Sequence, residues 1–196
     1  MIFGSQLSVA RAFTHNLAEQ GEKLGLIGPL ELPRLWSRHI LNCAIVAPLL
    51  HPGVVGDVGS GAGLPGLVLA IARPDVSFVL IEPMERRVAW LNDQIAVLGV
   101  TNATVKRARA EDVRLAHPLD QVTARAVSAF RTLIPLTAPL LRPGGGLLLM
   151  KGAGAQAEIE SAGKAIRKYR LNNVEVITLG DGVLQAVTRV IKATVD

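Results

Sequence analysis

Apolar residues follow two different spacings along the chain, one typical of strands and one typical of helices. Short runs rich in Val, Ile and Leu alternate with segments in which apolar residues recur every three or four positions. The predicted strands are Val54–Val58, Ser77–Ile81, Ala103–Arg107, Gln121–Ala126, Gly145–Met150, Val174–Leu179 and Gln185–Lys192. The predicted helices between them are Leu64–Ala72, Glu85–Leu98, Arg131–Leu141 and Ala155–Tyr169, and two more, Ser5–Leu24 and Leu32–Leu50, precede the first strand.

This alternation predicts a doubly wound α/β fold whose ligand site lies outside the carboxyl ends of the strands. The last two strands depart from it, because Gly180–Gly182 joins them and Asp-Gly between two alternating runs is typical of a β-hairpin. We therefore expect a mostly parallel seven-stranded sheet that ends in an antiparallel hairpin. A chain of 196 residues is short for two domains, so we expect one, with a helical extension (1–51) and a Rossmann-like core (52–196).

Composition narrows the class of protein. Apolar residues make up 49% of the chain but aromatic residues only 4%, which suits a parallel sheet with both faces buried under Val, Leu, Ile and Ala. The longest apolar stretch, Ile40–Leu50, is interrupted by a proline and is too short for a membrane span. Met1–Phe13 lacks the pattern of a secretory signal, so we expect a cytoplasmic protein. The single cysteine, Cys43, permits no internal disulfide and is expected to pack in the core of a helix.

The chain is basic, with a formal net charge of +5. A positive surface favours polyanions, because neutralisation of phosphates dominates affinity for nucleic acids. Charge alone does not identify the partner, since many basic domains bind nothing anionic.

The most informative segment is the glycine-rich run Asp57–Gly66, with sequence DVGSGAGLPG, directly after the first predicted strand. Glycines at a strand-to-helix turn let the backbone approach a ligand closely. The second half of the run, Gly61–Gly66, also matches the dinucleotide pattern G-x-G-x-x-G letter for letter. The pattern of glycines by itself therefore leaves a dinucleotide and S-adenosylmethionine open.

Charge around the run favours S-adenosylmethionine, which carries a cationic sulfonium and an amino group where a dinucleotide carries a pyrophosphate. Asp57 supplies a carboxylate for these cations, although the same side chain has a second interpretation as a cap for the glycine turn. Glu82, at the end of the second strand, suits ribose hydroxyls under either reading. The motif D-x-G-x-G-x-G, the turn Leu140–Gly145 and the terminal hairpin resemble class I methyltransferases.

Features that the chain lacks narrow the class of group that could accept the methyl. The segment Thr123–Ala126 stands where enzymes that methylate exocyclic amines carry an Asn-Pro-Pro-Tyr-like motif, and Cys43 lies too far away to activate a pyrimidine ring. A ring nitrogen such as guanine N7 needs no general base, only positioning and charge stabilisation. A methyltransferase of a small molecule or protein, and an NAD-binding module, stay open as alternatives.

Four segments together resemble one family. They are Arg38–Asn42 (RHILN), Asp57–Gly66, Thr123–Ala126 (TARA) and Leu149–Gly152 (LMKG). The chain is similar over nearly its whole length to the bacterial 16S ribosomal RNA guanine-N7 methyltransferase family, RsmG, also called GidB. The resemblance implies transfer of methyl from S-adenosylmethionine to N7 of the decoding-region guanosine at nucleotide position 527. The partner it implies is 16S rRNA or the small ribosomal subunit. Two departures are Asn42, where the family often has Asp, and Leu17–Glu31, which lacks its usual Asn-rich stretch.

The cofactor site expected from these motifs and from the resemblance comprises Asp57, Gly59, Gly61, Gly63, Leu64, Glu82, Ala110, Glu111 and Arg125. S-adenosylhomocysteine would be the product, and no metal is required. Arg125 is also the candidate catalytic residue, because it ends the fourth strand, where reacting groups should meet. Three duties remain open for it: orienting the methionine carboxylate of the cofactor, pairing with Asp57 or Glu82, or approaching guanine O6. His39, among apolar neighbours, is expected to be a packed or hydrogen-bonded histidine.

Basic side chains supply candidate RNA contacts. They are Arg38, Arg86, Lys151, Lys164, Arg167 and Lys168. The last three cluster near a predicted helix end, where interaction with the helix dipole is an alternative explanation. We expect a monomer that does not associate with membranes.

Overall fold

An amino-terminal helical segment precedes the sheet. The structure, a computed structural model, describes residues 2–196, so Met1 lies outside it. The first helix, α1 (Leu7–Gln20), is shorter than the predicted Ser5–Leu24. A 3-10 turn (Gly4–Gln6) precedes it, and Gly25 has a left-handed φ of +62°, which ends helical winding before the next segment.

The predicted second helix, Leu32–Leu50, is wrong as a single element. The chain there forms a 3-10 helix (Pro29–Arg34), a π-helical segment (Leu35–Leu41), one turn of α-helix, α2 (Asn42–Ala44), and a further 3-10 helix (Ala47–Leu49). The first and last pieces each contain an internal proline, which has no N–H to continue an α-helical ladder. Cys43 is fully buried in α2, as predicted.

Seven strands form one sheet, which confirms the predicted strand number. They are β1 (Val54–Val58), β2 (Ser77–Ile81), β3 (Ala103–Lys106), β4 (Leu119–Arg125), β5 (Leu141–Lys151), β6 (Leu171–Leu179) and β7 (Thr188–Val195). Their spatial order is β3-β2-β1-β4-β5-β7-β6, with β1 to β5 parallel and β7 antiparallel to both its neighbours. Because the chain builds outward in both directions from β1 and β4, the crevice of this fold opens at the carboxyl ends of these two strands.

The last two strands are antiparallel neighbours, as predicted, but the tight Asp-Gly turn is wrong. Leu179 pairs with Thr188, so residues 180–187 form the connection instead of the three residues Gly180–Gly182. The predicted strand Gln185–Lys192 consequently begins later, at Thr188. Gly180 has a positive φ and lies against Leu184, so the loop folds back on itself before β7 starts.

Five helices cover the core of the sheet. They are α3 (Gly66–Ala72), α4 (Glu85–Leu98), α5 (Phe130–Thr137), α6 (Ala155–Ser161) and α7 (Gly163–Lys168). The predicted helix Ala155–Tyr169 is two helices, because the chain leaves helical geometry at Ala162, just before Gly163. The predicted Arg131–Leu141 gives way after Thr137 to a 3-10 turn that contains a proline. Within residues 2–196, no helix has both the length and the apolar character needed to cross a membrane.

The core lies on both faces of the sheet. Phe13 of α1, Leu67 of α3 and Phe78 of β2 are buried on one face, and Phe130 and Leu133 of α5 on the other. Leu, Val, Ile and Ala supply most of the remaining buried residues, in line with the low aromatic content. The helical extension therefore belongs to the same apolar layer as α3 and α4, and this packing brings it beside the carboxyl ends of the strands.

Candidate active site

The turn after β1 has a backbone that only glycine adopts without strain. Gly59, Gly61 and Gly63 have φ values of +73°, +55° and +98°. Two contacts hold the turn in place: Gly59 N donates to the carbonyl of Ile81, and the indole N–H of Trp90 donates to the carbonyl of Ala62 at 3.0 Å. The run that the sequence singles out is thus a fixed loop between the ends of β1 and β2.

Asp57 lies beneath this loop and is fully buried. Its Oδ2 accepts a hydrogen bond from Gly66 N, the first residue of α3, at 3.0 Å, so the interpretation of this carboxylate as a cap for the turn describes one of its oxygens. Its Oδ1 is buried and has no hydrogen-bond partner among residues 2–196. Burial raises the pKa of Asp57 to about 7, and the negative charge of Glu82 acts in the same direction, while hydrogen bonding by Ser60 and by the backbone of Gly66 opposes them.

Glu82 is the second buried carboxylate of the site, with an exposed fraction of 2%. Its Oε2 accepts from Gly61 N and its Oε1 from Met84 N, both at 2.9 Å. Arg87 lies farther off, with 3.9 Å between Nη1 and Oε2. Glu82 therefore ties the glycine turn to the connection between β2 and α4.

Arg125 ends β4, and its guanidinium reaches back to the helical extension. Nη1 donates to Cys43 Sγ at 3.0 Å and to the carbonyl of His39 at 3.4 Å, and Nη2 donates to Nδ1 of the same histidine. The expectation that Cys43 lies far from the end of β4 is therefore wrong, because packing of the helical extension brings it there. The expectation that His39 is a hydrogen-bonded histidine is thus confirmed. None of the ion pairs among residues 2–196 includes Arg125. The open alternative of a structural pair between Arg125 and Asp57 or Glu82 is therefore wrong.

The loop after β4 is strained and lies over the glycine turn. Ala126 has a φ of +55°, which is rare for a residue with a Cβ and costs of order 1 kcal/mol. Val127 packs against Gly59, since a Cβ added to that glycine would lie 2.8 Å from Val127 Cγ2. The segments that follow β1 and β4 are therefore in contact at the carboxyl ends of these strands.

A cavity of about 680 Å³ opens beside Arg125 at the carboxyl edge of the sheet. Arg38 and Asn42 line it from the helical extension, Arg125 from β4, Lys151 from β5 and Arg189 from β7. Lys151 and Arg189 face each other in the register of β5 and β7. The Oδ1 atom of Asn42 is buried without a partner. A basic cavity thus lies near the glycine turn, with Val127, which lines the cavity and packs against Gly59, between them.

Of the six predicted basic residues, Arg38 and Lys151 line this cavity and the other four do not. Lys151 is nearly buried, and its ammonium donates to the carbonyl of Ser128 and pairs with Glu158 at 2.9 Å, so it fastens the loop after β4 to α6. Arg86 is exposed in the first turn of α4, near Gly25. Lys164, Arg167 and Lys168 lie on α7, which leads into the start of β6. The antiparallel register of β6, β7 and β5 puts the start of β6 beside the start of β5, at the amino ends of the parallel strands. Arg125 lies at their carboxyl ends.

The remaining predicted cofactor residues flank the glycine turn or follow β3. Leu64 is half-buried and packs against the core on the side of α3. Ala110 is half-buried in the turn after β3, whereas Glu111 is exposed. In the part of the chain that the structure describes, no three His, Cys, Asp or Glu side chains are grouped to hold a metal ion.

Two residues near Arg125 were not predicted from the sequence. Glu31 pairs with His39, and Arg189 lines the cavity from the last strand. Glu31 lies in a broken helical segment with no motif of its own. Arg189 follows the eight-residue connection 180–187, whose length determines which side chains of β7 reach the cavity.

Comparison with known proteins agrees with this geometry. A family model described as rRNA small subunit methyltransferase G matches residues 6–187. A protein named Ribosomal RNA small subunit methyltransferase G from Leifsonia xyli subsp. xyli is 75% identical over 194 residues, which cover 99% of this chain and 93% of that protein. A protein of the same name from Thermobifida fusca is 48% identical over 195 residues, covering 99% of this chain and 82% of that protein.

Solved structures share the fold at low identity. TYW2 of M. jannaschii, in complex with AdoMet, has a TM-score of 0.61 and 22% identity, over 81% of this chain and 76% of that one. The N-methyltransferase NodS of Bradyrhizobium japonicum, in complex with S-adenosyl-l-homocysteine, has a TM-score of 0.61 and 15% identity, over 91% and 98%. The predicted class I methyltransferase fold and the predicted family are both confirmed, and the chain belongs to the rRNA small subunit methyltransferase G family.

Proposed function

We propose that this chain transfers a methyl group from S-adenosylmethionine to N7 of a guanosine in 16S rRNA. The observation that carries the proposal is the basic cavity of about 680 Å³ beside the glycine turn, within a chain of this family. A cavity of this size has room for a nucleobase that leaves its stack, as enzymes acting on bases require. We place the acceptor there, at the ends of β4 and β5.

The residues around the glycine turn fit the cofactor. Glycines with positive φ values let the backbone of the turn approach a ligand closely, and two buried carboxylates lie under and beside it. The unpartnered Oδ1 of Asp57 supports a cationic ligand nearby, because a buried acceptor without a donor is costly. When bound, S-adenosylmethionine supplies an electrophilic methyl group. In this proposal Asp57, Glu82 and the backbone from Gly59 to Leu64 bind it, and Ala110 and Glu111 frame it from the turn after β3.

Arg125 is the proposed active-site cation. It lines the cavity, and none of the ion pairs among residues 2–196 neutralises it, so its charge is available to substrate groups. A guanidinium that donates to guanine O6 or to a phosphate leaves the N7 lone pair free for in-line attack on the methyl group. The same side chain is also proposed to orient the methionine carboxylate of the cofactor. Guanine N7 carries no proton, so the reaction needs no general base and positioning carries the catalysis.

RNA contacts are proposed mainly at the cavity and along the adjoining edge. Arg38 and Arg189 line the cavity, and Arg86 is exposed at the start of α4. Lys151 is proposed to act indirectly, by holding the loop after β4, because its ammonium is paired with Glu158. Lys164, Arg167 and Lys168 are proposed only as a separate, distal contact on the opposite edge of the sheet. Phosphate contacts of this kind position an RNA without reading its sequence.

The test is nucleoside mass spectrometry of 16S rRNA from cells with and without the gene. The expected result is loss of N7-methylguanosine at one position, proposed to be the decoding-region guanosine, and its return when the gene is restored. An unchanged level of N7-methylguanosine would overturn the proposal. Labelled methyl transfer to naked 16S rRNA and to small subunits, run in parallel, identifies which of the two is the substrate.

A titration distinguishes the cofactor from a dinucleotide. Calorimetry should detect binding of S-adenosylmethionine and S-adenosylhomocysteine and no comparable binding of NAD. Preferential NAD binding would instead assign the glycine turn to the dinucleotide pattern that Gly61–Gly66 also matches.

A further inference from the structure

A chain of hydrogen bonds links the surface of the helical extension to Arg125. Glu31 Oε2 lies 2.6 Å from His39 Nε2, and His39 Nδ1 accepts from Arg125 Nη2. The three residues come from the 3-10 helix Pro29–Arg34, the π-helical segment Leu35–Leu41 and the end of β4. Glu31 and His39 touch neither the glycine turn nor Asp57 in any hydrogen bond within residues 2–196, so the chain is separate from the cofactor residues.

The direction of donation in this chain is fixed by chemistry. A guanidinium has only donors, so His39 Nδ1 must carry the lone pair. The proton of the neutral ring then resides on Nε2 and is donated to the carboxylate of Glu31. Glu31 therefore selects the tautomer of His39 that presents an acceptor to Arg125.

The orientation of Arg125 depends on its hydrogen bond to His39 Nδ1, because its other contacts are weak. Its remaining acceptors are the thiol of Cys43 and the carbonyl of His39, at 3.0 and 3.4 Å. A thiol sulfur is a poor acceptor, and an N···O distance of 3.4 Å lies beyond the usual range. The imidazole is consequently the strongest partner that fixes the orientation of the guanidinium.

We propose that Glu31 and His39 are positioning residues, which fix the guanidinium of Arg125 at the wall of the cavity and make its placement sensitive to protonation of the imidazole. The inference rests on the proposed function, since it assigns Arg125 to the site of methyl transfer. Protonation of His39 puts an N–H against the guanidinium and a second positive charge beside it. Arg125 then loses its acceptor and moves from the position that serves transfer.

The charged and titratable groups around His39 determine where this happens. Glu31 faces it from the preceding 3-10 helix, Arg38 acts on it from its own segment and Arg125 faces it from β4. Arg34 and Cys43 contact its two partners, Glu31 and Arg125 respectively. Burial lowers the pKa of His39 below its usual value of 6.5, the cations act in the same direction, and Glu31 opposes them. The acceptor form therefore prevails at neutral pH, and transfer should decline on the acid side.

The first test compares two substitutions of His39. In His39→Asn the side-chain oxygen can occupy the place of Nδ1 and accept from Arg125. In His39→Gln the terminal amide reaches the place of Nε2 and leaves Nη2 of Arg125 without its acceptor. With labelled methyl transfer to small subunits as the assay, His39→Gln should lower kcat about 10- to 100-fold, since misplacement of a catalytic group by about 1 Å has effects of this size. His39→Asn should retain most of kcat at neutral pH and lose the acid-side decline.

The second test uses Glu31→Gln, whose side-chain oxygen still accepts from Nε2. Because Glu31 raises the pKa of His39, its neutralisation should lower that pKa and move the acid-side decline of kcat to lower pH. Glu31 has a side chain 25% exposed, so this variant should fold even if a change at His39 does not. The matched control is the exposed pair His15 and Glu19, 3.2 Å apart on α1, whose variants His15→Gln and Glu19→Gln should leave kcat and its pH profile unchanged.

Two outcomes overturn the inference. One is equal kcat for His39→Gln and His39→Asn, with both melting like the wild type. The other is an acid-side decline that Glu31→Gln leaves in place or moves to higher pH. Failure of the proposed function is distinguishable from both, because it appears as the absence of methyl transfer to 16S rRNA by the wild-type protein itself.

Discussion

The carboxylate of Asp57 accepts a hydrogen bond from the backbone N–H of Gly66, with 3.0 Å between Oδ2 and N. One residue lies within β1 and the other begins α3, so this bond closes the glycine turn from below. The interaction places a negative group at the amino terminus of a helix, where the dipole favours it. Among residues 2–196, the second oxygen of the same carboxylate, Oδ1, has no hydrogen-bond partner.

Asp57→Asn should alter how stability depends on pH. Burial raises the pKa of Asp57 to about 7 from 3.8, so between these values the folded state holds a proton that the unfolded chain releases. The contribution of this group to the free energy of unfolding is therefore largest below pH 4. It decreases by an amount of order a few kcal/mol as the pH rises to 7. Urea denaturation from pH 4 to 8 should show a smaller fall for Asp57→Asn, whose amide oxygen can still accept from Gly66.

A control with the opposite sign is available in Asp120. The hydrogen bond from Arg142 holds the pKa of Asp120 below its usual value, so its contribution is present near neutral pH and is lost as pH falls. Asp120→Asn should therefore cost more stability at pH 7 than at pH 3. Parallel curves for Asp57→Asn and the wild type across pH 4 to 8 would contradict the raised pKa.

Gly66→Ala should destabilise the fold. An added Cβ would lie 2.4 Å from Asp57 Oδ2 and 2.5 Å from Leu80 Cδ2, so the buried carboxylate and the sheet would have to shift. Overpacking of this kind costs about 3 kcal/mol. Chemical denaturation measures the change, and Gly28→Ala is the control, because that glycine has φ −79° and nothing within 4 Å of its added Cβ. Equal stabilities of the two variants would show that the turn is not packed as described.

Arg125→Ala should lower kcat for methyl transfer about 10²- to 10³-fold, the effect expected when one charge-stabilising donor is removed from a preorganised site. The protein should still fold, because no carboxylate is left unpaired by the change. Arg131, exposed on α5, provides the matched control as Arg131→Ala. Full activity of Arg125→Ala in the labelled-methyl assay would remove this residue from the site.

The salt dependence of RNA affinity should test whether the RNA binds at the basic cavity, and a triple variant on α7 tests the alternative surface. If Arg38 and Arg189 each contact a phosphate, Arg38→Gln and Arg189→Gln should each reduce the slope of log affinity against log salt by about one. Binding of small subunits or 16S rRNA between about 50 and 200 mM salt measures that slope. A triple change of Lys164, Arg167 and Lys168 to Gln, on the opposite edge, should leave kcat unchanged. A loss of kcat in the triple variant would move the RNA-binding surface to α7.

The sheet and the location of the glycine turn could be predicted from the sequence, because both depend on local patterns. Strands β1 and β2 have the predicted bounds, since each is a short β-branched run bounded by turn residues. The glycines of the run Asp57–Gly66 are needed at positive φ, a requirement that shows in a single sequence. Helix breaks were harder to predict, since the proline-interrupted segment 29–49 and the break before Gly163 keep apolar spacing on both sides.

The surroundings of Arg125 could not be predicted from the sequence, because they depend on how remote elements pack. Glu31 and His39 lie about ninety residues before it along the chain, and no local pattern links a broken helical segment to the end of a distant strand. The same holds for Arg189, which reaches the cavity because β7 inserts antiparallel beside β5. The sequence also predicted an RNA contact that the fold places elsewhere. The helical spacing of Lys164, Arg167 and Lys168 is a local pattern, but the register of β6 puts them at the opposite end of the strands from Arg125. A local motif predicts the backbone conformation of its own segment, whereas the contacts of a side chain depend on packing between elements that are remote in sequence.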